Sequence, residues 1–344
     1  MRETHQGKEM RLLKLAGASL CAFSLTIVVA YGADPLKIRA SWIVAPSDWT
    51  PMLLEKPELM RNQGKSYVFE PVRYAGTPAV ITAMANNEVE LGNLAFSSLA
   101  IAIQNAGLDD LRVIGDQFRD GEGASYSNQY YVLNDSAIQR VEDLKGKIVA
   151  TNVAGSAVDI AMRAMLRKHG LEDKRDYTVV EAPFPTMKGM LVQKKADLAS
   201  FVAPFSFDPE LKQIARPLFS QKEAIGTTQM IVWVVRKPFL DKNRAAMLDF
   251  MEDALRVVRW YLDPAHHDEA VAIAARLTKQ PPDRFAGWLF TDKEYSRSRD
   301  LLPNITALQA NIDVQRELGF LKGPIDIQRY TDLGLVQEAA ARLK

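Results

Sequence analysis

The chain has 344 residues, 43 basic against 42 acidic side chains and a net charge of +1. That balance lacks the concentrated basic footprint of nucleic-acid binders. A single cysteine, Cys21, excludes any disulfide within the chain and any cysteine-built metal site.

At the N-terminus Arg11 and Lys14 precede an uncharged apolar stretch from Leu15 to Ala30, followed by Tyr31-Gly32-Ala33-Asp34-Pro35. This is the pattern of a secretory signal peptide over residues 1–32. The stretch is shorter than the roughly 20 apolar residues that span a bilayer as a helix. Cleavage is expected after Gly32, with Ala33 as second choice and an uncleaved anchor as the other reading; Met10 is an alternative start. Cys21 would leave with the leader, and Leu20 before it does not fit a lipoprotein site. What remains carries 39 basic and 40 acidic residues. Its length of about 310 residues suffices for two lobes.

From Leu36 short apolar runs alternate with helical patterns, which predicts an α/β fold with mainly parallel sheets flanked by helices. Leu36–Trp42 and Tyr67–Tyr74 read as strands, and Thr77 opens a helix with Val80, Ala83 and Met84 on one face. Leu91–Leu94 is a short strand, Ser97-Ser98 begin a helix that stops near Gly107, and Leu111–Phe118 is a strand. The pattern then restarts with the strand Ile148–Thr151 and a helix opened by Gly155-Ser156, with Gly170 suited to its C-terminal end. The strand Tyr177–Glu181, a helix from Thr186 to Lys194 and the strand Leu198–Val202 follow. Thr77 to Ser98 and Thr186 to Ser206 echo each other. Two extended segments, Gln129–Leu133 and Met230–Val235, bracket the second half and read as paired crossovers between lobes. This gives lobe I from 33–127 and 229–344, and lobe II from 128–228. Helices are expected from Asn243 to Asp263, and the part beyond Asp268 is mostly helical.

Ligands in open α/β sheets sit beyond the carboxyl ends of the strands, where helix N-termini favour anions. The junctions here are rich in small hydroxyl residues: Gly76-Thr77, Ser97-Ser98 after Phe96, and Ala154-Gly155-Ser156. Pro185-Thr186 and Ala203-Pro204-Phe205-Ser206 complete the set. Each Ser or Thr alone reads equally as a plain helix cap; junctions from two lobes around one cleft point to binding. In the loop after the first strand Ser47 and Trp49 are cleft candidates, Trp49 as an aromatic wall, whereas Trp42 reads as a core residue. Gly121 to Asn128 suits a hinge, with Ser127 and Asn128 able to reach the cleft.

Catalytic patterns find little support. Gly121-Glu122-Gly123 lacks a strand-to-helix context, and no Walker A loop or GxSxG elbow is present. His266-His267-Asp268-Glu269 reads as the polar start of a surface helix and not as a metal site.

The run Gly76-Thr77-Pro78-Ala79-Val80 through Val89-Glu90-Leu91-Gly92-Asn93-Leu94 to Ser97-Ser98-Leu99-Ala100 resembles the first-lobe signature of ABC-importer binding proteins for taurine, aliphatic sulfonates and nitrate. Val141-Glu142-Asp143-Leu144-Lys145-Gly146-Lys147, Val232-Trp233-Val234-Val235-Arg236-Lys237 and Asn311–Gly319 are similar to further family segments. The resemblance implies a type II periplasmic-binding fold of two lobes joined by two crossover strands, with ligand contacts from Ser97, Ser98, Ser127-Asn128, Thr151, Ser156, Ser47 and Trp49. It implies a monomer in the periplasm that passes a small anionic organic solute to an ABC permease without a cofactor. Gln229-Met230-Ile231 stands where taurine-type members should carry a carboxylate, which argues against taurine. Arg119 and Arg163 are the arginines that could reach an anion. The competing expectation is an enzyme on the same fold acting on a pyrimidine or menaquinone precursor.

Overall fold

The computed structural model describes residues 34–343, so the leader expected over 1–32 and Cys21 lie outside the described residues. The first strand, β1 (Leu36–Trp42), turns Ile38 and Ala40 into the core and Lys37 to solvent, as alternation requires. It runs parallel to β2 (Tyr67–Arg73), and an isolated parallel bridge from Ala40 to Leu91 brings β3 (Gly92–Ala95) to its other side. The strands that follow are β4 (Leu111–Asp120), β5 (Gln129–Leu133), β6 (Lys147–Thr151), β7 (Tyr177–Glu181), β8 (Leu198–Phe201), β9 (Ala215–Ser220) and β10 (Thr228–Arg236).

The two sheets share one layout. With the bridge included, the first has the order β2-β1-β3-β10-β4 and the second β7-β6-β8-β5-β9. In each, one strand runs against both neighbours: β10 between β3 and β4, and β5 between β8 and β9. The two bracketing segments, Gln129–Leu133 and Met230–Val235, fall in β5 and β10. Each is the antiparallel strand of a different sheet, and the crossings lie just ahead of them, between Asp120 and Gln129 and between Ser220 and Thr228. The apolar run of β10 is buried at every residue but Arg236, as a strand covered on both faces must be.

The helices are α1 (Trp49–Leu53), α2 (Thr77–Ala85), α3 (Phe96–Asn105), α4 (Ala157–Lys168), α5 (Met187–Val192), α6 (Pro209–Ile214), α7 (Gln221–Ile225), α8 (Lys237–Tyr261), α9 (His267–Thr278), α10 (Asp283–Ala286), α11 (Ile305–Glu317) and α12 (Gly334–Ala341). Ser156 caps α4 by accepting from the Asp159 amide, and Gly170 follows its end at φ +77°, a conformation that favours glycine. Helix α8 starts six residues before the expected Asn243; that residue instead marks a kink, with φ −119° and ψ 21°. His267 opens α9, with Asp268 and Glu269 exposed in its first turn.

The part beyond Asp268 is less helical than expected. Between α10 and α11 an irregular stretch runs along β4, where Ser296 and Arg119 exchange backbone hydrogen bonds of 2.8 and 3.0 Å and the Asp116 amide donates to the Leu301 carbonyl at 2.7 Å. Among the described residues no helix is long and apolar enough to cross a membrane.

Candidate functional site

A small cavity lies between the two sheets, at the carboxyl ends of their parallel strands. Its wall holds the loop after β1 (Ile43, Val44, Ser47 and Asp48), the starts of α2 (Gly76, Thr77) and α4 (Ser156, Ala157, Val158), and Ala95, the cap of α3. The first amides of a helix lack partners inside it and carry partial positive charge. Three such ends therefore meet one small space, while Phe118, Phe184, Val202, Met230 and Ile231 make the rest mostly apolar.

The loops that face each other are held together directly. Ser47 Oγ donates to the Ala203 carbonyl at 3.1 Å, joining the loop after β1 to the loop after β8. Gly76 sits where the sheets approach closely: a Cβ there would lie 3.4 Å from Asn152 Nδ2 and 3.7 Å from Val153. Thr77 Oγ1 and Ser98 Oγ share a hydrogen bond of 2.7 Å, and Ser156 Oγ donates to Asn152 Oδ1 at 2.7 Å. Ser97 Oγ and Thr151 Oγ1, each next to wall segments, are buried and have no hydrogen-bond partner among the described residues.

Among the described residues Asp48 is the only charged one on the wall. Its carboxylate accepts from the Ile43 and Val44 amides, both at 2.8 Å, and from Asn93 Nδ2 at 3.1 Å. Burial pushes its pKa up, against those three donors. Among the described residues no Lys, Arg or His lines the cavity. Arg119 pairs with Glu122 at 2.9 Å, and Arg163 with Asp159 and Asp173 at 3.0 and 2.7 Å, so neither arginine singled out in the sequence reaches the wall.

Of the residues singled out in the sequence, Ser47, Gly76, Thr77 and Ser156 line the cavity. Pro204 and Phe205 lie on a wider groove at its mouth. Ser97, Ser98 and Thr151 are fully buried behind the wall. Trp49 is not the expected aromatic wall: it is fully buried, stacked on Phe290 at 5.4 Å, with the Arg297 guanidinium 4.4 Å from its ring. The roles of the two tryptophans reverse, because Trp42, expected in the core, is half-buried at the groove.

Ser127 and Asn128 are also off the wall, tying the two crossings together. Ser127 Oγ donates to Asp120 Oδ1 at 2.5 Å and accepts from the Lys222 amide at 2.9 Å; the Asn128 amide donates to Asp120 Oδ2 at 2.6 Å, and the Asn128 carbonyl accepts from the Gln221 amide at 2.7 Å. Burial pushes Asp120 up to about 7, opposed by those two donors.

Sequence reasoning missed Tyr295, which lines the cavity from the irregular stretch after α10. Its ring stacks on Phe118 at 4.4 Å, its hydroxyl donates to Asn128 Oδ1 at 2.5 Å, and it accepts from the Ala203 amide at 3.2 Å. No local pattern marks it, since its partners lie 167 and 92 residues away.

No curated protein matches the chain by sequence. Among solved structures it is similar to the alkanesulfonate-binding protein SsuA from Xanthomonas axonopodis pv. citri bound to MOPS, with TM-score 0.68, 18% identity, and 87% of this chain and 99% of that one covered. It is similar to the periplasmic nitrate-binding protein NrtA from Synechocystis PCC 6803, with TM-score 0.69, 12% identity, and 90% and 89% covered. It is also similar to the desulfurization enzyme DSZB, with TM-score 0.63, 12% identity, and 90% and 100% covered. At these identities the likeness bears on the fold, which is the two-lobed α/β fold of periplasmic binding proteins. The family model described as "NMT1-like family" matches residues 43–275, the span from the loop after β1 into α9, and the chain belongs to that family.

Proposed function

We propose that the chain is the periplasmic substrate-binding protein of an ABC importer, capturing a small anionic organic solute and delivering it to permease subunits in the inner membrane. The solute would be sulfonate-type or an aromatic or organic carboxylate. The observation that carries this reading is the meeting of three helix N-termini at one interlobe cavity. An anion there would rest on backbone amides and hydroxyls. Ligand contacts to both lobes favour the closed state, which is the state a permease would recognise. The sulfonate- and nitrate-binding relatives in fold support the same class.

Lobe I would comprise 33–127 and 229–344 and lobe II 128–228, in line with the strands of each sheet. The protein would be exported through the leader over 1–32 and act as a monomer, with no nucleic-acid partner and no cofactor. Binding without catalysis is favoured because the wall hydroxyls of Ser47, Thr77 and Ser156 bond to a carbonyl, a hydroxyl and an amide oxygen, none of which is a base able to activate them.

The test is a calorimetric and thermal-shift screen of sulfonates, nitrate, aromatic carboxylates and pyrimidines on the purified protein. Stabilisation by one class of anion, with stoichiometry near one, is expected. Stabilisation by none of them overturns the proposal, and turnover of a bound pyrimidine would favour the enzyme reading.

A further inference from the structure

We infer that Arg297 is the positioning residue of the first cavity loop, acting through Asp48 to hold Ile43 and Val44 against a bound solute. The inference rests on the binding function proposed above and adds a residue that lies off the cavity wall.

Arg297 stands in the irregular stretch after α10, and its side chain is only 2% exposed. A guanidinium taken out of water is costly unless it is paired and hydrogen-bonded. Arg297 pairs at 2.6 Å with Glu294, whose side chain is 1% exposed. Three aromatic rings surround its head: Trp49 at 4.4 Å, Phe290 at 5.4 Å and Phe118 at 5.6 Å. A buried ion pair is weak evidence for stability, because apolar side chains in its place often fold as well. What this one supplies is a charge at a fixed place.

From that place a chain of hydrogen bonds leads to the loop after β1. Arg297 Nη1 donates to the Gln117 carbonyl at 3.3 Å. The Gln117 side chain accepts from the Trp49 amide at 2.8 Å and donates to Asn93 Oδ1 at 3.2 Å. Asn93 Nδ2 donates to Asp48 Oδ1, and Asp48 Oδ2 accepts from both the Ile43 and Val44 amides. The arrangement needs Asp48 ionised, since a proton on its carboxyl would point a donor at groups that only donate. Burial works against the charged form, and the field of Arg297 works for it. The other charges of this region are Glu294, Asp116 and Arg119; Asp116 lies 3.9 Å from Arg119 and also feels Arg297. Ile43 and Val44 line the cavity, so loosening them reaches the bound solute.

The test compares wild type with Arg297→Lys and with the neutral double variant Arg297→Gln/Glu294→Gln, which leaves no buried charge of the pair unmatched. A cooperative thermal transition establishes folding, and Arg297→Met/Glu294→Met replaces the double variant if that one does not fold. Hydrogen exchange of the segment 43–48 is measured without added solute, and methanesulfonate affinity by isothermal titration from about pH 5 to 8. In the neutral variant the Ile43 and Val44 amides should exchange roughly tenfold faster, the factor for one charge-assisted hydrogen bond. Wild-type affinity should fall as pH drops through the Asp48 titration, and in the neutral variant that fall should come at higher pH. Arg297→Lys keeps the charge and should follow wild type in both measurements. An unshifted pH profile, or an Arg297→Lys protein as loose as the neutral one, overturns the inference. If methanesulfonate binds wild type at no pH, the binding function fails for sulfonates, and the exchange rates of the three proteins alone decide the role of Arg297.

Discussion

Ser47 Oγ and the Ala203 carbonyl, 156 residues apart in sequence, share a 3.1 Å hydrogen bond across the cleft. A bond between the two halves contributes to the closed state and not to either half alone. Ser47→Ala is expected to weaken ligand binding by up to about fivefold, matching the ~1 kcal/mol of a typical neutral hydrogen bond. Stopped-flow release should place the change in the off-rate, and an unchanged off-rate would count against it.

Gly76 has extended backbone, with φ −175°, so a side chain there brings no backbone strain. The constraint is the neighbour across the cleft, Asn152 Nδ2 at 3.4 Å from an added Cβ. Alanine should fit, whereas Gly76→Val should weaken ligand affinity by about tenfold or more, in the range for overpacking. The ligand-free melting temperature should stay near wild type. A large fall in that temperature would mean that Gly76 serves folding instead of closure.

Tyr295→Phe removes a donor to Asn128 and an acceptor for the buried Ala203 amide. Leaving such groups unpaired costs about 1–3 kcal/mol. Urea unfolding should report that loss, while tryptophan fluorescence of the folded state stays unchanged because the Phe118 stack is kept. A variant as stable as wild type would show that water replaces the hydroxyl.

Asp120 gives the chain a pH signature. In an unfolded chain an aspartate titrates near 3.9, whereas burial raises this one to about 7. Below about pH 4 both states hold the proton; between about 4 and 7 only the folded state does, so the contribution to stability is lost as pH rises through that window. Wild type should therefore lose more thermal stability between pH 4.5 and 7.5 than Asp120→Asn, which cannot titrate. Parallel curves for the two proteins would rule the effect out.

Much of the architecture was legible because it rests on periodicity. The predicted ranges of β1 and β7 match the observed ones, since both follow from local alternation and flanking turns. Strand β9 left no such mark: it lies at a sheet edge, where Pro217 is tolerated and where its register with β5 shifts between Tyr130 and Tyr131. The cavity was legible only where caps form it. Gly76, Thr77 and Ser156 announce helix starts, and helix starts face the cleft. The direction of an aromatic ring in a loop is decided by what packs over it, so Trp49 and Trp42 could not be sorted before Phe290 and Arg297 were placed. Tyr295 was invisible for the same reason, its role depending on contacts made far along the chain.

The position of β10 between β3 and β4 has a consequence for how the molecule assembles. The second sheet draws all its strands from residues 129–220, a continuous stretch. The first cannot be completed until the chain has been made as far as Arg236, because until then β3 and β4 both present bare edges with nothing between them. Closing it demands pairings across more than a hundred residues, such as Thr228 with Asp120, and long-range pairing of that kind is slow. The half that begins the polypeptide is therefore expected to finish folding last, with its open edges the part of an unfolded chain most exposed to unwanted association.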